Sequence, residues 1–157
     1  MTSQQLINQF RFNQMTLTTL LADVSQEESL QPLGEGINCI NWLLGHLLAN
    51  RGRMMTSMNA EPEWYAEYMR IYLPREPHYP ANAKSKEDML RTLNTSLVEL
   101  ALALKAFEPS LSKPTDQLPH LKTGTWSDRI GSFICHEAYH MGQIGLSRRV
   151  MGKPGLF

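Results

Sequence analysis

The stretch Cys135-His136-Glu137-Ala138-Tyr139-His140-Met141-Gly142-Gln143 lies within a run of helical periodicity over about residues 127–151, and its reading decides the fold. At ~100° per residue, Ile130, Phe133, Ile134, Met141 and Ile144 fall on one apolar arc. Ser127 or Thr125 can cap the start, and Gly152 and Pro154 end the helix. His136 and His140 are one turn apart on the flank of that arc, displaced by ~40° around the axis. Two imidazoles so placed can converge on one metal ion, but zinc usually takes three or more protein ligands.

The third candidate is His46, in Asn41-Trp42-Leu43-Leu44-Gly45-His46-Leu47. It is central to a second helical segment, about 38–58, whose Ile40, Leu43, Leu44, Leu47, Met54 and Met58 share a face and whose start Asn38 can cap. Asn50 and Arg53 extend its polar flank. A histidine from one helix facing a pair from another is workable metal geometry for a bundle interior. Three neutral ligands leave a coordination position for water or substrate, as in catalytic rather than structural sites. Plainer readings stand beside this one. A histidine pair at this spacing is commonly exposed or hydrogen-bonded, and a single histidine on an apolar face is commonly a satisfied core residue.

Two further segments complete the helical set. About 3–23 repeats Leu6, Phe10, Asn13, Leu17, Leu20 and Leu21, and about 86–107 carries the stripe Leu90, Leu93, Leu97, Leu100 and Leu104. Ser85 with Asp88 resembles a capping box before the latter. Pro32, Gly34 and Gly36 mark 25–36 as a loop. Residues of about 59–84 hold Pro62, Pro74, Pro77 and Pro80 among Trp64, Tyr65, Tyr68, Tyr72 and Tyr79, with a short helix expected over about 62–72. No segment alternates as a strand does. The expectation is an all-α chain, 1–157 as a single domain, folded as a four-helix bundle with a long crossover between helices two and three.

Bulk composition narrows the function classes. The chain has 157 residues, 42% hydrophobic, with 15 Lys+Arg against 15 Asp+Glu and a formal charge of zero. That balance gives no reason to expect nucleic acid or an anionic membrane as a partner, and it does little to oppose self-association. Two cysteines, Cys39 and Cys135, make no disulfide framework and read as buried small hydrophobes. The N-terminal residues show no signal-peptide pattern and no apolar run nears the ~18 residues of a membrane span, so a cytoplasmic location is expected.

The segments Asn41–Leu47 and His136-Glu137-Ala138-Tyr139-His140-Met141-Gly142-Gln143-Ile144 resemble the DinB-like metal-binding family, which includes the YfiT-type enzymes. The first looks like the family's helix-two segment with its first metal histidine, the second like its His-x-x-x-His followed by Gly-Gln. Their separation and the total length also fit, so the resemblance spans nearly the whole chain. Family members often carry Arg or Lys before the Gly-Gln, where this chain has Met141. The resemblance implies a bundle with a divalent metal, often zinc or nickel, on His46, His136 and His140, often as a homodimer. It also implies the reaction types of characterised relatives: transferases and isomerases that use a low-molecular-weight thiol such as bacillithiol, mycothiol or glutathione, and proposed hydrolases.

Other residues have open readings. Glu137 falls within the apolar arc, where a carboxylate needs a partner. It is either an acid/base or ligand-supporting group near the metal, or the partner of an arginine such as Arg51 or Arg148. Gln143 and Asn50 either orient groups at the metal or occupy a polar edge. Cys135, Tyr139, Leu146 and Val150 form a second, weaker stripe that meets either a neighbouring helix or another subunit. Trp64 and Tyr68 are candidates to line a pocket, and His78 and His120 read as surface loop residues.

Three functions follow as expectations. The first is a metal-dependent enzyme, in which a metal-activated thiol or water attacks a small molecule. The second is a non-catalytic, stress-related metal-binding bundle. The third is a plain helical dimer without metal.

Overall fold

The computed structural model describes residues 1–73, 80, 82–116 and 124–156. His78 and His120 lie outside the described residues. Six α-helices and one short 3-10 turn, Glu108–Ser110, carry the described chain, which is all-helical. Among the described residues there is no strand, only an isolated antiparallel bridge between Pro114 and Thr125.

Local chemistry accounts for the helix ends. Thr2 caps α1 (Ser3–Leu21) by a capping box with Gln5, each side chain accepting the other's backbone N–H. The same device, Ser25 with Glu28, starts α2 (Gln26–Leu30) inside the stretch expected to be loop. Five residues are too few for periodicity to reveal, so the box was the only signal of this helix. Gly34 and Gly36, at φ 150° and 71°, break the chain after it.

α3 (Ile40–Ser57) begins slightly later than expected. Its cap is Cys39 rather than Asn38, the thiol sulfur accepting the Trp42 N–H at 3.5 Å. α4 (Tyr65–Tyr72) is the short helix expected in the long connection. α5 (Lys86–Phe107) matches its expected span, capped by the Ser85 hydroxyl, which accepts the Asp88 N–H and donates to the Asp88 carboxylate. α6 (Trp126–Val150) is capped by Thr125 in a reciprocal box with Asp128, so Thr125 rather than Ser127 starts it.

α1 packs against α5 and α6, and α3 packs against the same two helices. Their apolar faces form two clusters. One joins Leu17, Leu20 and Leu21 of α1 to Leu43, Leu44 and Leu47 of α3, Met89 and Leu93 of α5, and Met141 and Ile144 of α6. The other joins Leu6, Ile7 and Phe10 to Met54 and Met55, Leu100 and Leu104, and Ile130 and Ile134.

Between these two sets of positions along the helices sits a buried polar layer. The Arg51 guanidinium, 2% exposed, donates to Glu137 Oε1 at 2.9 Å, Gln14 Oε1 at 2.9 Å and Ser96 Oγ at 3.0 Å. Asn13 donates to the other Glu137 oxygen at 3.3 Å and to the Ile134 carbonyl at 3.2 Å. Each of the four long helices therefore contributes a polar group to one connected network. Such a layer is satisfied only when all its partners are present.

α4 lies directly on α3. A Cβ added at Gly45 would stand 2.4 Å from the Tyr72 ring, and one at Gly52 2.5 Å from the Tyr65 ring. The two glycines are seven residues apart on one face, and their lack of side chains lets the α4 aromatics reach the α3 backbone. Tyr68 is buried with its hydroxyl on Thr92, and half-buried Trp64 donates its indole N–H to Glu99 at 2.8 Å. Both pack against the clusters. Among the described residues no helix is long and apolar enough to cross a membrane.

Candidate metal centre

Tertiary packing brings His46 of α3 to His136 and His140 of α6. Among the described residues, one nitrogen from each lies within 4.8 Å of the others, a group able to hold a metal ion. The His136 and His140 rings are 4.4 Å apart, and His46 stands 5.3 and 4.9 Å from them.

Each histidine is oriented by its surroundings. His46 Nδ1 lies 2.9 Å from the Tyr72 carbonyl oxygen, which accepts its proton and leaves Nε2 with a lone pair. The Asn50 amide donates to that Nε2 at 3.0 Å and to the His46 carbonyl at 2.9 Å. Ligation through Nε2 would displace the first of these bonds and keep the second. Trp42 stacks on the His46 ring at 4.5 Å with an interplanar angle of 14°, covering one face. His140 Nδ1 donates to Gln143 Oε1 at 2.6 Å, and Gln143 Nε2 donates in turn to the Tyr139 hydroxyl at 3.2 Å. A ring nitrogen held by a carbonyl or amide oxygen, with the other nitrogen left as an acceptor, is the usual arrangement of a metal-binding histidine.

The donor set fits a divalent cation on one close approach. His136 and His140 approach at 3.1 Å between Nε2 atoms, so one must hold a proton between two lone pairs unless a cation satisfies both. Among the described residues His136 Nδ1 is buried with no hydrogen-bond partner, so this ring, unlike the other two, has no acceptor holding its far nitrogen. The protonation states agree. Burial lowers the pKa of all three; for His136 it does so to about 4, aided by His140 and His46 beside it. The Tyr72 carbonyl opposes the shift at His46 and Gln143 opposes it at His140. Burial thus holds the imidazoles in the neutral, ligating form at neutral pH.

The remaining candidates sort by position. Glu137 belongs to the polar layer, paired with Arg51, while buried Arg148 pairs with Asp23 and the Leu20 carbonyl. Its partners make Glu137 a packing-layer carboxylate. Gln143 grips His140 and is part of the site. Asn50 grips His46, a contact for which the one-turn spacing was the only sequence signal. The Tyr72 carbonyl could not be read from sequence, because it reaches His46 only once α4 folds onto α3.

Cys39 is buried as expected, with burial raising its thiol pKa, but Cys135 is exposed. It stands ~100° around α6 from His136, on the outer side of the helix. Tyr139, Leu146 and Val150 are also exposed, so among the described residues this second stripe is largely uncovered.

Neither a protein-family model nor a curated protein sequence matches the chain. A solved structure described as a conserved protein from Enterococcus faecalis is similar in fold, with a TM-score of 0.66 over 98% of this chain and 99% of that one, at 18% identity. At that identity the likeness concerns the fold alone.

Proposed function

We propose that this chain is a DinB-like metal-binding protein that holds one divalent ion, zinc or nickel, on His46, His136 and His140. We further propose that it works as a metal-dependent transferase of a low-molecular-weight thiol, or as a metal-dependent hydrolase. The convergence of three neutral histidines within 4.8 Å carries this reading. The architecture that goes with it is a four-helix bundle with a long crossover between its second and third long helices, α3 and α5. Cluster membership supports the crossover. The N-terminal halves of both α3 and α5 lie in the first cluster and their C-terminal halves in the second, so adjacent helices run the same way.

A divalent ion at this place supplies positive charge that lowers the pKa of a thiol or water beside it. The protein's own groups prepare for that. Tyr72 and Gln143 fix the ring orientations of His46 and His140, Trp42 shields one ring face, and burial keeps the rings neutral. A homodimer in the cytoplasm completes the proposal. Zero net charge and exposed Phe12 and Met15 on α1, 65% and 64% accessible, favour self-association.

Elemental analysis of protein purified without an affinity tag or nickel column tests the reading. About one zinc or nickel per chain is expected, falling sharply in His136→Ala. No metal, and no uptake by the folded protein on adding either ion, rejects it in favour of a plain helical protein. A metal that remains in His136→Ala removes that residue from the ligand set.

A further inference from the structure

A cavity of about 260 Å³ lies between α3, α6 and the segment that follows α2. Leu33, Ile37, Leu43, Leu146 and Val150 form its apolar wall, and Asn38, Gln143 and Ser147 are its polar lining side chains. Leu146 and Val150, the outer residues of the second α6 stripe, thus wall a cavity rather than another helix.

The cavity adjoins the histidines along both helices. Leu43 precedes His46 by three residues and Gln143 follows His140 by three, so each is a same-face neighbour about 4.5 Å along its helix axis. Gln143 belongs to both places at once: it lines the cavity, and its Oε1 accepts the His140 Nδ1 proton. Among the described residues, no Asp, Glu, Lys or Arg lines the cavity. A charged group entering it would give up part of its hydration, with no counter-charge among these lining residues to replace it. At ~30 Å³ per water-sized group, the space accommodates on the order of ten non-hydrogen atoms.

We propose that this cavity is a substrate subsite: it takes an uncharged, largely apolar group of about ten non-hydrogen atoms and directs the polar end of the same molecule at His46, His136 and His140. The inference rests on the metal-centre reading and narrows it. In a thiol transfer, the cavity holds the apolar acceptor, because a charged thiol finds no partner there. Gln143, touching both the cavity and His140, is a positioning residue between occupant and metal ligand.

Methyl NMR of the full chain, loaded with zinc and also metal-free, tests this with two probes of equal size. These are 4-methylbenzyl alcohol, which is neutral, and 4-methylbenzylammonium, which is charged. The alcohol is expected to shift the methyl signals of Ile37, Leu43, Leu146 and Val150 with a Kd on the order of 1 mM, typical of so small a ligand. The ammonium should bind at least tenfold more weakly. Leu146→Trp, and independently Val150→Trp, fill the space from exposed positions. Each should weaken the alcohol at least tenfold while zinc affinity, measured by chelator competition, stays unchanged.

One zinc per chain together with no shifts at these methyls overturns the subsite and leaves the metal centre standing. So does equal affinity for both probes, or indifference to both tryptophans. Alcohol binding in the cavity of a chain that takes up no zinc overturns the cavity's role as a substrate subsite along with the metal centre.

Discussion

The Tyr72 ring occupies the space that a Cβ on Gly45 would need, 2.4 Å from the built position, while the Tyr72 carbonyl oxygen holds Nδ1 of the very next residue, His46, at 2.9 Å. A glycine in mid-helix is thereby linked to a metal ligand. The Tyr72 hydroxyl is anchored as well, donating to Asn41 Oδ1 at 3.2 Å and accepting the Lys84 N–H at 2.8 Å. Gly45→Ala is therefore expected to push α4 away. Overpacking against a rigid ring costs about 1–3 kcal/mol, more than the ~1 kcal/mol gained in helix propensity. The urea midpoint should fall, and zinc affinity should fall with it as His46 loses its anchor. Gly52→Ala, which meets Tyr65 instead, should lower the midpoint alone; an equal loss of zinc affinity in both variants would show that Gly45 has no special link to the site.

The buried Arg51–Glu137 pair gives a second prediction. Removing one partner leaves an uncompensated charge, so Arg51→Met or Glu137→Leu should each cost about 3–5 kcal/mol in denaturant unfolding. The double variant should recover part of that loss, because two apolar groups replace two desolvated ions while Asn13, Gln14 and Ser96 still lose a partner. Additive losses in the double variant would mean that the two side chains contribute independently. Zinc occupancy should survive in the double variant, since neither residue points its polar atoms at the histidines.

Gln143→Ala removes the acceptor of the His140 Nδ1 proton. Loss of such a supporting bond typically weakens metal affinity 10–100-fold. Chelator competition should show that drop at an unchanged helical signal, and Gln143→Glu, which keeps an acceptor oxygen, should restore most of it. Affinity unchanged in the alanine variant would assign Gln143 to the cavity alone.

Acid should destabilise the metal-free protein. His136 is held near 4 in the fold against an ordinary 6.5, so the unfolded chain takes up a proton first as pH falls. The contribution is fully present above about pH 6.5 and is lost progressively as pH drops towards about 4. His46 and His140, also lowered, act in the same direction. Urea unfolding in the presence of EDTA at several pH values between 7.5 and 4.5 should show the decline, with a shallower slope in His136→Phe. Zinc release by proton competition should come only as pH nears about 4, where His136 of the folded chain takes up its proton. A stability profile flat across this range would contradict the burial of these rings as the cause of their neutrality.

The sequence alone determined the all-helical class, the spans of α3, α5 and α6 to within about two residues, and the three histidines as a group. Apolar periodicity and caps act between residues three or four apart, so Leu93-Leu97-Leu100-Leu104 or Thr125 with Asp128 can be read from order alone. What depends on residues distant in the chain was decided only by the tertiary structure. Asn13 meets Glu137 across 124 positions and Arg51 meets it across 86, so the choice between Arg51 and Arg148 as its partner was open until the helices packed. Cys135 proved exposed because an apolar local context does not say which side of a helix faces its neighbours. The Tyr72 carbonyl behind His46, and the cavity that Gln143 shares with the segment after α2, exist only because two glycines admit α4 onto α3 and because chain far from α6 folds over its outer flank. Backbone oxygens and empty volume carry no residue-type signal, and so only packing could place them.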